Sequence, residues 1–334
     1  MKYDIEIAWQ INDFCDFDCP YCWLHSRGWS ESKRYFGYPD QEKIVEGLRK
    51  LSLVCLIHMS GGEPFYFPRF VELCQRLTAN NFISINTNLT HKDIFRFAEQ
   101  IDPTKVDFLH CSLHPIERKG NRKIEDFIKK YLYLKNKGFK IFVSYLTYPP
   151  MLKRFEKYYT LFKSCGIILM PKVFWGPYFG AFKIIDSKFL REFNHLRPLR
   201  NRLRRMYPDA YSEIERSFIR RCIERSQNDE GSFLRESTNS RIRTIELSRD
   251  NNWLEKIPSF QGSYCLAGQK FIKMDQHGNV YRCNDEHHHS LGNLFEGEIK
   301  LFSEAKKCEA SVCTCPYVGF RYAETTRRVE SCQK

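Results

Sequence analysis

Asn12-Asp13-Phe14-Cys15-Asp16-Phe17-Asp18-Cys19-Pro20-Tyr21-Cys22 is the stretch whose reading decides the fold. It sets three cysteines on one tight loop with the spacing C-x3-C-x2-C and an aromatic residue, Tyr21, immediately before the third. Three thiolates on one loop can hold three irons of a cubane and leave the fourth iron without a protein ligand. Soft thiolates suit iron–sulfur clusters, and an open coordination site is what catalysis needs. Zinc is the rival occupant, but its structural sites want four ligands, and no fourth cysteine lies nearby. Fourteen cysteines placed at random in 334 residues would produce such a triplet about 0.02 times per chain, so chance explains it poorly.

Moving outward from this loop, apolar runs alternate with helical patterns. Strands are predicted at Ile5–Ile11, Leu53–Met59, Phe82–Asn86, Val106–Leu113, Phe139–Thr147 and Ile167–Trp175. Helices are predicted between them, at about 40–51, 68–80, 91–101, 122–137 and 151–165. In the fourth, Ile124, Phe127, Ile128, Tyr131 and Leu132 follow the i, i+3, i+4, i+7, i+8 pattern of one apolar face, and Gly138 supplies the stop. Strand–helix repetition with right-handed crossovers builds a parallel sheet. Six units in this length predict an α/β fold, a partial (βα)6 TIM-like barrel, with its chemistry at the C-terminal strand ends.

Composition narrows the function classes. A hydrophobic fraction of 42% with 15% aromatics excludes a disordered chain. The longest apolar runs, such as Leu51–Ile57, fall far short of a membrane span, and no secretory signal opens the chain. Many cysteines without an export signal point to metal or redox chemistry in a reducing compartment, so a cytoplasmic location without membrane contact is expected. Cys55, Cys74, Cys111 and Cys165 sit in apolar contexts and read as core residues. The net charge of +13 is partly concentrated in the arginine-dense segments LRPLRNRLRRM and SFIRRCIERS. The organisation expected is a barrel over 1–186, a basic helical connector over 187–258 and a small cysteine-bearing α+β module over 259–334.

The loop and its surroundings resemble the radical S-adenosylmethionine (radical SAM) superfamily, whose signature is C-x3-C-x-aromatic-C after the first barrel strand. Gly61-Gly62-Glu63-Pro64 after the second strand is similar to that family's GGEP motif. Asn86-Thr87-Asn88 resembles its ribose-side segment, although Leu89 stands where a glycine is usual, and Ser112 resembles a serine near the SAM carboxylate and ribose. The resemblance implies that Cys15, Cys19 and Cys22 bind a [4Fe–4S] cluster. It also implies that Tyr21, Gly61, Gly62, Glu63, Pro64, Asn86, Asn88 and Ser112 serve the SAM site. Glycines there let backbone approach the ligand, and Glu63 offers a counter-charge to an ammonium. Reductive cleavage of SAM would then yield a 5′-deoxyadenosyl radical that abstracts a substrate hydrogen. The electron would come from a reductant such as flavodoxin or ferredoxin.

Near the other end, Cys265-x12-Gly278-x4-Cys283 spans two short predicted strands joined at His277-Gly278-Asn279. A hairpin there brings both cysteines to the same end. The pattern resembles the opening of SPASM/twitch auxiliary-cluster domains. The continuation, Cys308-x4-Cys313-x-Cys315 with Cys332, departs from a full SPASM arrangement. One auxiliary [4Fe–4S] cluster is therefore expected, held by Cys265, Cys283 and two of Cys308, Cys313 and Cys315, with zinc as the alternative occupant. His287-His288-His289 lacks an i, i+4 helical spacing and reads as a solvated loop. Cys222, among arginines, reads either as a half-buried helix cysteine or as a candidate reactive hydrogen donor with a lowered pKa.

Three substrate classes follow. The resemblance favours peptide modification by cross-linking, thioether formation or epimerisation, although only 14 residues precede the cysteine loop, so that a separate recognition protein or leaderless recognition is expected. The alternatives are a dehydrogenase or epimerase of a sugar, aminocyclitol or nucleotide sugar, and an RNA-modifying enzyme suggested by the positive charge.

Overall fold

The computed structural model describes residues 2–22, 38–178, 205–230, 253–255, 258–286 and 288–313. Six parallel strands form its frame: β1 (Ile5–Asn12), β2 (Cys55–Gly61), β3 (Phe82–Thr87), β4 (Val106–Ser112), β5 (Ile141–Leu146) and β6 (Leu169–Lys172). Between them run α1 (Gln41–Lys50), α2 (Phe70–Thr78), α3 (Ile94–Gln100), α4 (Asn121–Asn136) and α5 (Phe155–Ser164). From β1 to β6 the strand order follows the chain order, and among the described residues the sheet stays open beyond β6, as a partial barrel requires.

Side-chain alternation separates two faces. Ile5, Ile7, Trp9 and Ile11 of β1 join Ile57 and Met59 of β2, Ile83 and Ile85 of β3 and Val143 of β5 in the core beneath the helices. Helix α4 brings Ile124, Phe127, Tyr131 and Leu134 to that core, each large side chain contributing about 1.5–3 kcal/mol. The intervening residues on the other face include the buried polar side chains of Glu6, Gln10, His58, Ser84, His110 and Ser144 beside Leu56, Phe108 and Phe142. A barrel needs no such polarity for stability alone.

Two features show how the expected parts of the chain are joined. First, the C-terminal residues are not a separate sheet. Their strand β10 (Phe271–Met274) pairs parallel with β1, with Glu6 opposite Phe271 and Trp9 opposite Met274. Strands β11 (Asn279–Tyr281), β12 (Ser290–Asn293) and β13 (Glu298–Ile299) follow antiparallel, so among the described residues one sheet of ten strands runs from β13 to β6. Helix α1 packs so closely on this extension that a Cβ on Gly47 would lie 2.3 Å from the Leu294 carbonyl oxygen. Second, the helix inside the expected connector, α6 (Glu213–Glu230), docks on the barrel flank: Ser226 Oγ donates to the Leu169 carbonyl of β6 at 2.8 Å. Its arginines are engaged there, Arg225 with Glu156 at 2.9 Å and Arg220 with Glu255 at 2.5 Å. The arginine pattern that reads as a solvated connector thus includes the sixth barrel helix. No helix among the described residues is long and apolar enough to cross a membrane.

The remaining short strands are β7 (Gly176–Tyr178), paired with β8 (Arg205–Tyr207), and β9 (Tyr264–Cys265), paired with β14 (Lys306–Lys307).

Candidate functional site

The cysteine loop leaves the C-terminal end of β1 and is sewn to the end of β2. Gly62 N–H donates to the Asn12 carbonyl at 2.9 Å and Glu63 N–H to the Phe14 carbonyl at 2.7 Å. Both glycines are required by this contact. A Cβ on Gly61, whose φ is +141°, would meet the Asn12 oxygen at 2.1 Å, and one on Gly62 would meet the Phe14 oxygen at 1.9 Å. Ligand access is therefore not the sole demand on them. Within the loop, Cys22 N–H closes a turn onto the Cys19 carbonyl at 2.9 Å, and Phe17 N–H points at Cys15 Sγ at 3.4 Å. Cys22 is near enough to raise the thiols of Cys15 and Cys19, and Cys15 that of Cys19.

Glu63 lies fully inside the knot. Its carboxylate accepts from Asn88 N–H at 2.6 Å, the Thr87 hydroxyl at 2.7 Å and, as the cap of a short turn begun by Pro64, Phe65 N–H at 3.4 Å. Burial pushes its carboxyl up to about 7 against these three donors. Asn88 also reaches the loop, its Nδ2 lying 2.9 Å from Asp16 Oδ1 and 3.8 Å from Cys15 Sγ. The ends of β1, β2 and β3 are thus joined through Glu63 and Asn88. The Leu89 that replaces a glycine adopts the left-handed backbone with φ +57° while fully buried. The conformation glycine would favour is kept, at a cost of roughly 1–2 kcal/mol, with the leucine side chain in the core.

Tyr21 turns away from this knot. Its hydroxyl lies 2.9 Å from His114 Nδ1 and its ring stacks on that imidazole. Burial first, then Arg118 and Lys172, hold His114 down to about 3, so its ring is neutral. Arg118 is a residue that sequence reasoning missed. It is buried, donates through Nε to the Leu113 carbonyl at 2.6 Å and through Nη2 to the Asn88 carbonyl, and places its guanidinium over Phe17 and Phe127 at 5.2 and 4.5 Å. One side chain therefore fixes the cysteine loop, the end of β3 and the end of β4. In the sequence it sits in a charged run, Glu117-Arg118-Lys119, that looks solvated.

Asn86 does not join the Glu63 knot. Its Oδ1 lies 3.1 Å from His110 Nδ1, and His110 Nε2 lies 2.8 Å from Ser144 Oγ, a chain across the polar barrel face. A second chain runs below it from Glu6 to His58 Nε2 at 3.3 Å and from His58 Nδ1 to Ser84 Oγ at 2.6 Å. Ser112 stands at the β4 end, opposite Ser144. Cys222 requires correction: it is buried in the core, and burial together with Glu156 pushes its thiol up to about 12 despite Arg225 and Arg221. A lowered pKa is not found, and the residue is a packing cysteine.

The C-terminal cysteines converge. Cys265, Cys283, Cys308 and Cys313 line one small cavity with Phe260, Ala267 and Arg282. Pairing of β9 with β14 sets Lys306 opposite Cys265, and Cys308 N–H donates to the Ser263 carbonyl at 2.9 Å. Behind the cavity lies a buried ion pair, Arg282 to Glu286 at 2.5 Å. Arg282 also donates to the Lys306, Lys307 and Ala267 carbonyls at 2.6, 2.8 and 3.2 Å, and Glu286 accepts from Glu309 N–H at 2.9 Å. With every polar edge partnered, burial of this pair is sustainable. The backbone N–H groups of Ala267, Asp285 and Ala310, each two residues onward, lower the thiols of Cys265, Cys283 and Cys308, as Phe17 N–H lowers that of Cys15. Cys315 lies outside the described residues, as do Cys332 and His287.

The thiols suit a metal rather than free nucleophiles. Burial pushes Cys15 and Cys283 up to about 12 and raises Cys19 as well, so alone they stay protonated. A bound metal supplies the charge that expels such protons. At the β1 end, Asn12 Oδ1 is buried without a hydrogen-bond partner, an acceptor open to a ligand ammonium.

Comparison with known proteins agrees with this geometry. The family model described as "Radical SAM superfamily" matches residues 9–159, which include the cysteine loop, the Gly61–Pro64 segment and the ends of β3 and β4. Among solved structures, anSMEcpe with bound AdoMet and the Cp18Cys peptide is similar with a TM-score of 0.52 at 16% identity, over 87% of this chain and 78% of that one. The same protein with bound AdoMet alone gives 0.54 at 16% identity over the same shares. SuiB of Streptococcus suis gives 0.50 at 14% identity, with 88% of this chain spanning 64% of that one. Comparison with curated protein sequences finds no match. Proteins of the matched family work with a [4Fe–4S] cluster and S-adenosylmethionine. Residues 9–159, with their three-cysteine loop sewn to a partial barrel, thus match the radical SAM superfamily.

Proposed function

We propose that this protein modifies a peptide by radical chemistry, with a catalytic cluster at Cys15, Cys19 and Cys22 and a single auxiliary cluster in the cavity of Cys265, Cys283, Cys308 and Cys313. When bound, the catalytic cluster and SAM supply a 5′-deoxyadenosyl radical by reductive cleavage of the sulfonium. The chain's own residues position and shield. The Phe17 and Asn88 N–H groups favour negative charge on Cys15 Sγ. Glu63 and the Asn12 carboxamide oxygen would hold the ammonium end of SAM, and a cation there would stabilise the charged form of Glu63. Asn86, His110 and Ser144 line the polar barrel face, where a substrate's polar backbone finds donors and acceptors in place of water.

The observation that carries the reading is the repeated N–H···S arrangement. The four cysteines with a backbone N–H close by from the residue two positions on belong to two separate thiol sets, and the C-terminal set lines a cavity. Peptide is preferred to a sugar because the similar anSMEcpe fold binds a peptide. RNA is disfavoured because Arg220 and Arg225 of α6 are spent on intramolecular carboxylates.

The test is deuterium transfer. Reconstituted anaerobically with SAM and reductant, the enzyme should move deuterium from a per-deuterated residue of its peptide into 5′-deoxyadenosine. Transfer from a sugar or an RNA nucleoside, with none from any peptide, would overturn the peptide assignment.

A further inference from the structure

His288, His289 and Glu309 meet on the surface beside the cysteine cavity, where a solvated histidine loop is expected. The Nε2 atoms of His288 and His289 lie 3.2 and 3.3 Å from the same oxygen, Glu309 Oε2, and the three donor atoms are all within 4.8 Å of one another. Zinc bonds imidazole nitrogen and carboxylate oxygen at about 2.0–2.2 Å, so the edge of its coordination tetrahedron is about 3.3–3.5 Å. The two N···O separations match that edge. Neighbouring residues on a strand or helix would not aim two imidazoles at one oxygen. Here the Arg282 N–H to His289 carbonyl bond at 3.1 Å turns the chain back, and the His289 N–H to Glu286 carbonyl bond at 3.3 Å tightens the loop.

The third donor comes from another segment and is held in place. Glu309 N–H donates to Glu286 Oε1 at 2.9 Å, and Glu286 is itself locked by Arg282. The carboxylate that orients the Glu309 backbone is therefore buried and immobile, while its own side chain reaches outward. The side chains of His288, His289 and Glu309 retain 60%, 35% and 61% exposure, which leaves room for water as a fourth ligand.

We propose that His288, His289 and Glu309 form a mononuclear site for a borderline divalent cation of the zinc type, distinct from the thiol cavity. Two nitrogens and one oxygen with an open position match the donor preference of Zn2+ and Co2+ rather than that of Mg2+ or an iron–sulfur cluster. The cation clips the turn after Cys283 to the segment after Cys308. The site rests on its own geometry and does not depend on what fills the cysteine cavity.

The test uses untagged full-length protein, since an affinity tag would bind the same metals. Co2+ is titrated anaerobically into wild type and into the His288→Ala/His289→Ala/Glu309→Gln variant after iron and sulfide have been counted. Wild type should bind one Co2+ with weak ligand-field bands and no thiolate-to-cobalt charge transfer. The variant should bind it at least about 10–100-fold more weakly, the loss seen when only an outer hydrogen bond of such a site is removed. Its iron and sulfide should be unchanged, which also shows that it folds. Equal Co2+ binding by the variant, absence of a Co2+ equivalent in wild type, or a Co2+ spectrum dominated by thiolate charge transfer would overturn the site. Zinc without sulfide in the cysteine cavity would instead count against the auxiliary cluster and leave this site standing.

Discussion

The two thiol sets of this protein are built in opposite ways. The N-terminal set, Cys15, Cys19 and Cys22, comes from one loop of consecutive residues, and the fold's part is to sew that loop to the ends of β2 and β3 through Gly62, Glu63 and Asn88. The C-terminal set draws Cys265, Cys283, Cys308 and Cys313 from separate segments, and an internal ion pair, Arg282 with Glu286, gathers the turns that carry them. A site written in a contiguous motif needs the fold only for orientation. A site assembled from distant segments needs it for existence. The two sets should therefore fail differently when their supports are removed.

The largest effect is expected at the C-terminal support. Arg282→Ala leaves the Glu286 carboxylate buried without its cation, a loss of about 3–5 kcal/mol. We expect the variant to lose auxiliary iron and to unfold its C-terminal strands at lower denaturant, while SAM cleavage at the N-terminal loop survives in the retained fraction. Denaturant titration followed by iron counting reads both. Equal loss of SAM cleavage and auxiliary iron would show that the two sites are one cooperative unit.

Next comes Leu89. Leu89→Gly relieves the left-handed backbone by roughly 1–2 kcal/mol but removes a fully buried side chain, which costs about 2–5 kcal/mol. A net destabilisation is expected in urea unfolding, and a stabilised variant would show that the leucine side chain contributes little packing there. A smaller effect is expected at the N-terminal support. Arg118→Lys keeps the charge and loses the forked contact to the Asn88 and Leu113 carbonyls, about 1.5–3 kcal/mol. SAM affinity measured by equilibrium binding should fall, with auxiliary iron untouched. Unchanged SAM affinity would remove Arg118 from the positioning of the site.

The same contrast explains what the sequence reveals. Strand ends near Asn12, Gly61, Thr87 and Ser112 are legible within a residue or two, because alternation and turn chemistry are local. The cysteine loop is legible for the same reason, and so is the hairpin of β10 and β11. Pairing of β10 with β1 is not, since nothing in Phe271–Met274 names its distant partner. Nor does composition reveal that Arg118 is buried, that α6 belongs to the barrel, or that Cys222 is a core residue: arginine density looks the same whether carboxylates or water receive it. That Cys308 and Cys313 line the same cavity as Cys265 and Cys283 appears only in three dimensions.

The central claim is that Cys15, Cys19 and Cys22 alone hold the catalytic cluster. The most direct measurement is 5′-deoxyadenosine release by anaerobically reconstituted wild type and by the Cys15→Ala/Cys19→Ala/Cys22→Ala variant, each with SAM and reductant. Wild type should release it, and the variant should release none while keeping the iron and sulfide of the C-terminal cavity. SAM cleavage by the variant at the wild-type rate would contradict the account.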